Sequence, residues 1–471
     1  MNTKLLKQKI LDLAIRGKLV PQDPNDEPAS ELLKRIRAEK EKLIAEGKIK
    51  RSKKAGDKPH YENVPFGVPE SWIWVRLEEI CDKIVDGDHN PPKGLETPTQ
   101  YLMISSRNIN HDRIENLDNV RYLSKEIFEI ENERTRLNVG DILFTSVGSL
   151  GRSCVYNSCY NLCFQRSVSI IHTLTYNYWV KYFFDSDYYQ NLIIKKATGT
   201  AQMGFYLQQL SESYIALPPY NEQLRIVSEI EHWFALINDI ETNKLELQEF
   251  IKQTKSKILD FAIHGKLVPQ DLNDEPAIEL LKRINPAIKP CDTSHYENLP
   301  KSWCVVKLGD IGKWQAGGTP NRGVKEYYGG NIPWLKTGDL NDGFINKIPE
   351  CITQAGLDNS SAKLNPKDSV LIAMYGATIG KIGILTFPAA TNQACCACVD
   401  YPLLEKIYLF YFLLSHRDAF IMQGGGGAQP NISKEIILNT EIPLPPINEQ
   451  KRIAEMITEV FSFLDKISAD L

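Results

Sequence analysis

Ile10–Ile36 reads "ILDLAIRGKLVPQDPNDEPASELLKRI" and Ile258–Ile284 reads "ILDFAIHGKLVPQDLNDEPAIELLKRI". The second copy follows the first by 248 residues, and only four of the 27 positions differ. An internal repeat governs the reading of the whole chain, because each copy must be the same structural unit. The match continues outward. "HYENVPFGVPESWIWVRLEEI" from His60 answers "HYENLPKSWCVVKLGDI" from His295, "VGSLGR" from Val147 answers "YGATIGK" from Tyr375, and "LPPYNEQLRI" from Leu217 answers "LPPINEQKRI" from Leu444. The offset drifts from 248 to 227 while the order holds, so the chain is two homologous halves.

A heptad pattern follows each LPP motif. In the first half Ile226, Ile230, Trp233, Ile237, Ile240, Leu247, Ile251 and Ile258 fall at alternating steps of three and four, with Lys244, Thr254 and Phe261 in the same register. Such a helix, from Glu222 to Ala262, is about 60 Å long at 1.5 Å per residue. In the second half the seam is Ile453, Ile457, Val460, Leu464, Ile467 and Leu471, where the chain ends. Thr3, Leu6, Ile10 and Leu13 supply the missing part, since Leu471 aligns with Lys244 and Met1 with Glu249. The repeat therefore predicts two long antiparallel coiled-coil helices, one continuous and one split between the termini. That arrangement is a circularly permuted, pseudo-two-fold one. An ordinary pair of core helices is the plainer alternative; a seam sustained over about five heptads favours the coiled coil.

Between the helices lie two modules that mix β-like runs ("DILFTSVG", "SVLIAMYG") with Gly- and Asn-rich turns and amphipathic helices such as "TYNYWVKYFFDS". The expected fold class is α/β. The expected segments are 1–59 (half of the split helix plus a linker), 60–217 (first module), 218–294 (central helical repeat), 295–444 (second module) and 445–471 (the C-terminal helix). The modules diverge far more than the helices: "YLMISSRNIN" stands where "IPWLKTGDLN" stands. One frame carrying two unlike loop sets suits a protein that reads two different things at a fixed separation, because loops carry contacts and helices fix distance.

Composition narrows the class. The chain has 471 residues, of which 42% are apolar, enough for two to four ordinary cores. Its N-terminus lacks the apolar block of a signal peptide, and "IYLFYFLLS" from Ile407 is too short to cross a bilayer and reads as a buried helix. Ten cysteines without a secretory signal point to reduced thiols and a cytoplasmic location. Cys395 and Cys398 have C-x-x-C spacing but no second pair, so they read as buried strand cysteines rather than zinc ligands.

Catalytic motifs fail one by one. "GATIGK" from Gly376 has too few residues between its glycines for a phosphate loop, and Lys381 is followed by Ile382 rather than by a hydroxyl that could bind magnesium; it reads as a tight turn between strands. "LPPY" at Leu217 lacks the polar residue that accepts from an adenine amino group, "LPPI" also lacks the aromatic, and "NPPK" at Asn90 has no glycine-rich cofactor strand before it. No metal site, cofactor site or catalytic constellation can be assembled, so the chain by itself is not expected to be an enzyme.

The doubled frame with "GKLVPQ", "LPPYNEQLRI", "LPPINEQKRI", "GGTP" at Gly317, "GATIGK" at Gly376 and "AQPNIS" at Ala428 resembles, over essentially the whole chain, the specificity subunit of a type I restriction-modification system. The resemblance implies two target-recognition domains, each reading half of a bipartite double-stranded DNA sequence, with the helices setting the gap. It implies docking of two methyltransferase subunits that use S-adenosylmethionine to methylate adenine N6. Restriction/translocase subunits would use ATP and Mg. No membrane partner is implied. A non-catalytic scaffold whose modules bind proteins is the alternative; loss of DNA binding even with methyltransferase partners present would favour it.

Side chains that hydrogen-bond base edges, placed on divergent loops, are the candidate DNA contacts. In the first module these are His89, Lys93, Ser105, Arg107, Asn108, Ser146, Arg152 and Gln202; in the second, Thr319, Lys336, Thr337, Tyr375, Thr378, Lys381, Gln429 and Asn431. Lys and Arg number 14 against 19 Asp and Glu in His60–Leu217, and 13 against 13 in His295–Pro443. Without a basic excess, weak DNA binding is expected of this chain alone. The run Lys48, Lys50, Arg51, Lys53, Lys54 is absent from the second half and reads as a solvated linker.

Overall fold

The computed structural model describes residues 2–50, 64–199, 203–292, 296, 298–424 and 431–471. The chain divides into two compact units, Met1–Asn243 and Lys244–Leu471, so each module is joined by contacts to the helical segments beside it.

In the first unit the strands are β1 (Ile73–Arg76), β2 (Cys81–Asp86), β3 (Tyr101–Ile104), β4 (Arg121–Tyr122), β5 (Ile142–Thr145), β6 (Ser153–Val155), β7 (Asn161–Phe164), β8 (Val168–Thr173) and β9 (Tyr214–Leu217). They form sheets in the orders β2-β8-β5-β6, β4-β3-β7 and β1-β9. All four residues of β5 are buried, as befits the apolar run "ILFT" at a central position. Antiparallel pairing of Ile73 with Leu217 ties the two ends of the module together.

The second unit holds β10 (Cys304–Lys307), β11 (Lys313–Ala316), β12 (Tyr328–Leu335), β13 (Gly343–Ile345), β14 (Cys351–Ile352), β15 (Leu364–Asn365), β16 (Val370–Ala373), β17 (Ile382–Leu385), β18 (Ala389–Thr391), β19 (Cys395–Asp400) and β20 (Glu441–Leu444). Its sheets run β11-β19-β16-β17-β13, β14-β12-β18-β15 and β10-β20. The first unit's topology recurs with β13 and β15 added at edges. β3 and β7 pair in parallel, and so do β12 and β18. Cys395 and Cys398 lie buried on β19, where burial pushes both thiols up. The "IYLFYFLLS" stretch is a helix, Lys406–Ser415, with Tyr408 to Leu413 all buried. Among the described residues, no helix is long and apolar enough to cross a membrane.

The long helix, Tyr220–Ile263, serves both units. In the first unit its early part lies antiparallel to the N-terminal helix, Thr3–Ile15: Lys7 Nζ donates to Asn238 at 2.8 Å and to Glu241 at 3.2 Å, and Ile10 shares a core with Ile226, Ile230 and Ile237. In the second unit its later part lies antiparallel to the C-terminal helix, Ile447–Asp470. Lys255 meets Asp465 at 2.5 Å, Lys244 Nζ donates to the Leu471 carbonyl, and Ile453 and Ile457 share a core with Leu259 and Ala262. Leu6, Leu13, Val460, Leu464 and Ile467 are half-buried along these seams.

The register of the seam differs from the expected one. Ile226, Ile230, Ile237 and Ile251 are buried and Ile258 half-buried, but Trp233 is 42% exposed, Ile240 43% and Leu247 38%, and Phe261 also faces solvent. Except at Leu247, the place of each is taken by the residue that follows it. In the first unit the contact line is Val227, Ile230, Phe234, Ile237 and Glu241; in the second it is Lys244, Ile251, Lys255, Ile258 and Ala262. The first line steps by three and four throughout and the second does so from Ile251 on, so spacing alone does not choose between these lines and the expected one. Pairing chooses: Glu241 and Lys255 find opposite charges on the neighbouring helix, which lets polar residues sit where periodicity favoured apolar ones.

The repeated segments form the same polar clasp in each unit. Glu222 accepts from Trp72 Nε1 at 2.9 Å and from Gln22 Nε2 at 2.5 Å, while Glu449 accepts from Trp303 Nε1 at 3.0 Å and from Gln270 Nε2 at 2.5 Å. Arg225 pairs with Asp26 at 2.6 Å and Arg452 with Asp274 at 2.7 Å. Gln223 accepts from Thr175 at 2.8 Å and donates to the Pro218 carbonyl at 2.9 Å; Gln450 accepts from Glu405 N at 2.8 Å and donates to the Pro445 carbonyl at 3.0 Å. Gly17 and Gly265 end their helices at φ +66° and +68°, and a Cβ would fall 2.4 and 2.5 Å from Pro69 and Pro300. "GKLVPQ", "NDEP", "SW" and "NEQ" thus belong to one device, and the mutual pairing of these segments around the buried Trp72–Glu222 and Trp303–Glu449 contacts explains why it is written twice with so few changes.

Candidate nucleic-acid interface

The divergent loops gather at corresponding strand ends. In the second unit Asn392 N donates to Leu335 O at 2.9 Å, as Gln165 N does to Ile104 O at 3.0 Å in the first. Likewise Met374 N donates to Ala394 O at 2.8 Å as Ser146 N does to Ser167 O at 2.9 Å. Ile432 N donates to Met374 O at 2.7 Å as Phe205 N does to Ser146 O at 2.8 Å. Lys336 therefore corresponds to Ser105, Gln393 to Arg166 and Tyr375 to Val147. A glycine crosses the parallel strand pair in each unit: a Cβ on Gly87 would lie 2.2 Å from the Phe164 carbonyl, and one on Gly317 2.2 Å from that of Thr391. Only hydrogen fits there, so "VDGDHN" and "QAGGTP" are pinned beside the other loops.

In the first unit Ser105, Arg107, Asn116, Asn119, Arg121 and Gln165 line a cleft of about 430 Å³. Arg107 is exposed at its rim, and Ser105 starts the short turn that Asn108 closes by accepting from Ser105 N at 3.0 Å. Arg121 donates to the carbonyls of Pro91 and Pro92 at 3.1 and 2.9 Å, which holds the loop bearing exposed Lys93 against the cleft. His89 is exposed and lies 2.7 Å from Asp86, which also holds Arg134. Burial opposes ionisation of Asp86, but His89 and Arg134 outweigh it and hold the carboxyl below its ordinary range. Arg152 is half-buried just after the β5–β6 turn.

Two expectations fail here. Asn108 is buried, with its amide donating to the Asn116 carbonyl at 3.0 Å and its oxygen taken by Ser105 N. Ser146 is buried against Ser169, Oγ to Oγ 2.5 Å. Both side chains have their hydrogen-bonding groups engaged within the fold, although Asn108 still contributes to the lining of the cleft. Gln202 lies outside the described residues.

In the second unit Gln393 joins two expected residues, accepting from Thr319 Oγ1 and bonding the Tyr375 phenol, whose pKa is raised by burial. Thr337, Thr378 and Lys381 are half-buried, and Asn431 is exposed, bridging to Tyr375 through the backbone. Lys336 Nζ lies 2.8 Å from Glu350. Burial works against the Glu350 charge, yet Arg322 and Lys336 outweigh it and lower its pKa. "GATIGK" is the tight turn between β16 and β17 that spacing implied. Gln429 lies outside the described residues, as do Arg51, Lys53 and Lys54; of the linker run, Lys48 pairs with Glu46 at 2.7 Å.

Sequence reading missed Arg121, Gln165, Arg166, Gln393, Arg322 and Glu350. Gln165–Arg166 and Asn392–Gln393 were reachable, because "FQRSV" and "TNQAC" occupy matching places in the two halves. Arg322 and Glu350 carried no such signal, since they meet only through tertiary pairing.

The pattern of the type I restriction modification DNA specificity domain matches residues 69–249 and 300–470. The chain belongs to that family. Both specificity domains span a module and the helix that follows it. Among curated relatives, the Escherichia coli type I restriction enzyme EcoEI specificity subunit is 25% identical across 99% of this chain and 90% of its own length. The EcoAI specificity subunit, also from Escherichia coli, is 31% identical over 65% of this chain and 62% of its own. Two solved structures share the fold. One, from work on complex assembly and conformational transition of the type I R-M system, has a TM-score of 0.61 at 18% identity, covering 86% of this chain and 94% of its own. The HsdS subunit from Thermoanaerobacter tengcongensis has a TM-score of 0.53 at 19% identity, covering 86% and 93%.

Proposed function

We propose that this specificity subunit reads an asymmetric two-part DNA sequence, each unit contacting one half and the helix pairs setting the gap. The carrying observation is the set of unlike side chains at corresponding strand ends: Ser105, Arg107 and Arg166 on one frame, Lys336, Thr337 and Gln393 on its repeat. Two methyltransferase subunits dock on the chain in this reading and methylate adenine N6 with their own S-adenosylmethionine. ATP and Mg serve the restriction/translocase subunits, and the assembly works in the cytoplasm, where the DNA is. This chain's residues bind and orient; they move no proton or methyl group.

The test is to exchange residues 64–217 for the corresponding module of a relative and map methylation by the assembled complex. One half of the methylated sequence should change and the other persist. Change in both halves, or in neither, would refute independent reading. Arg107→Ala should relax one position of the first half, with about 1–3 kcal/mol lost if the contact is bidentate to a base.

A further inference from the structure

Lys336 follows β12, and its amide donates to Asp339 at 2.8 Å, which fixes its backbone at the start of a short turn. Its ammonium is held as well, 2.8 Å from one oxygen of Glu350. Arg322 holds the other oxygen at 2.5 Å, and the Glu350 carbonyl accepts from Trp334 N at 2.8 Å. Arg322 in turn lies over the rings of Tyr328 and Trp334, 4.5 and 5.0 Å from their centroids. Trp334 is buried, and its indole N–H donates to the Gly318 carbonyl at 2.9 Å. Rigidity thus passes from the core through Arg322 and Glu350 to a lysine at the interface.

Part-exposed ion pairs contribute little to stability and cost the side-chain freedom of both partners. The same ordering favours binding, because a group already fixed loses less freedom when a ligand arrives. A lysine ammonium has three protons, and Glu350 takes one. The major-groove edge of guanine presents two acceptors, O6 and N7.

We propose that Glu350 is a positioning residue for base selection, holding Lys336 so that its two remaining protons meet O6 and N7 of one guanine in the second half of the target. The proposal rests on the bipartite reading above. Its test maps methylation by the assembled complex carrying the wild-type chain, Lys336→Ala, Glu350→Gln or Glu350→Asp. Lys336→Ala and Glu350→Gln should relax the same single G·C position of the second half by about 10- to 100-fold, leaving the first half intact, while Glu350→Asp keeps part of the discrimination. Full discrimination in Glu350→Gln would overturn the proposal. So would uniform weakening in Lys336→Ala with a salt slope lower by about one, the mark of a phosphate contact. Because Lys336 is on the surface, its variant tests the guanine contact even if Glu350→Gln disturbs folding, and the conservative Glu350→Asp then tests the positioning. A wild-type complex that methylates no two-part sequence would instead sink the functional reading beneath the proposal.

Discussion

Glu449→Ala removes the acceptor of the second clasp and strands the buried donor Trp303 Nε1, while Gln270, which is exposed, can turn its amide to water. A buried unsatisfied donor costs about 1–3 kcal/mol, so the loss at neutral pH should be about that much. Glu449→Gln should cost about 1 kcal/mol or less. Its amide oxygen can accept from Trp303, and Gln270, which now accepts from Ser302 at 3.3 Å, can turn its oxygen to receive the new amide N–H. The two variants also differ in pH response. Burial raises the Glu449 pKa above its ordinary 4.5, more than Trp303 and Gln270 lower it. The folded state therefore holds the extra proton between the unfolded and folded values, and this group's contribution to stability falls as pH rises through that window. Glu449→Gln abolishes the slope, so its cost relative to wild type should shrink as pH rises from 4 toward neutrality. Urea unfolding of the full chain, with hydrogen exchange at Gly265–Ile284 as the local probe, measures both effects. A cost under about 1 kcal/mol for the alanine variant, or a pH-independent difference for the glutamine variant, would refute this account of the clasp.

Ile237→Asp should cost several kcal/mol of thermal stability, because the side chain is 1% exposed, while Ile240→Asp, at 43%, should cost under about 1; equal effects would refute the observed seam register. Lys181→Met should cost about 3–5 kcal/mol, since Lys181 is buried between Asp112 and Asp185 and its loss leaves the Asp185 charge buried beside Ser153 and His111; a thermal shift near zero would show that the cluster is not an ion network.

The candidate site was only partly legible. Lys336, Thr319, Tyr375, Ser105 and Arg107 stand on loops that the divergence of the halves marks out. Asn108 and Ser146 stand on the same loops and have the same chemistry, yet the fold uses them up. Nothing near them in sequence announces this: Ser146 meets Ser169 from the adjoining strand, and Asn108 is fixed by backbone groups at Ser105 and Asn116. Glu350 becomes part of the interface only because β14 brings the chain back beside β12.

Duplication, the order of segments, the long helix and the family were all decided by sequence alone, because repeats and periodicity are properties of residue order. Which face of the helix is the contact line, and which polar side chains remain free for a ligand, were decided by tertiary structure. Both depend on partners distant in the chain: Lys7 and Asp465 draw Glu241 and Lys255 into the seams, and Arg322 and Glu350 fix Lys336. Local pattern ranks residues by type, whereas hydrogen bonds and ion pairs between distant segments settle which of them the folded molecule has already used.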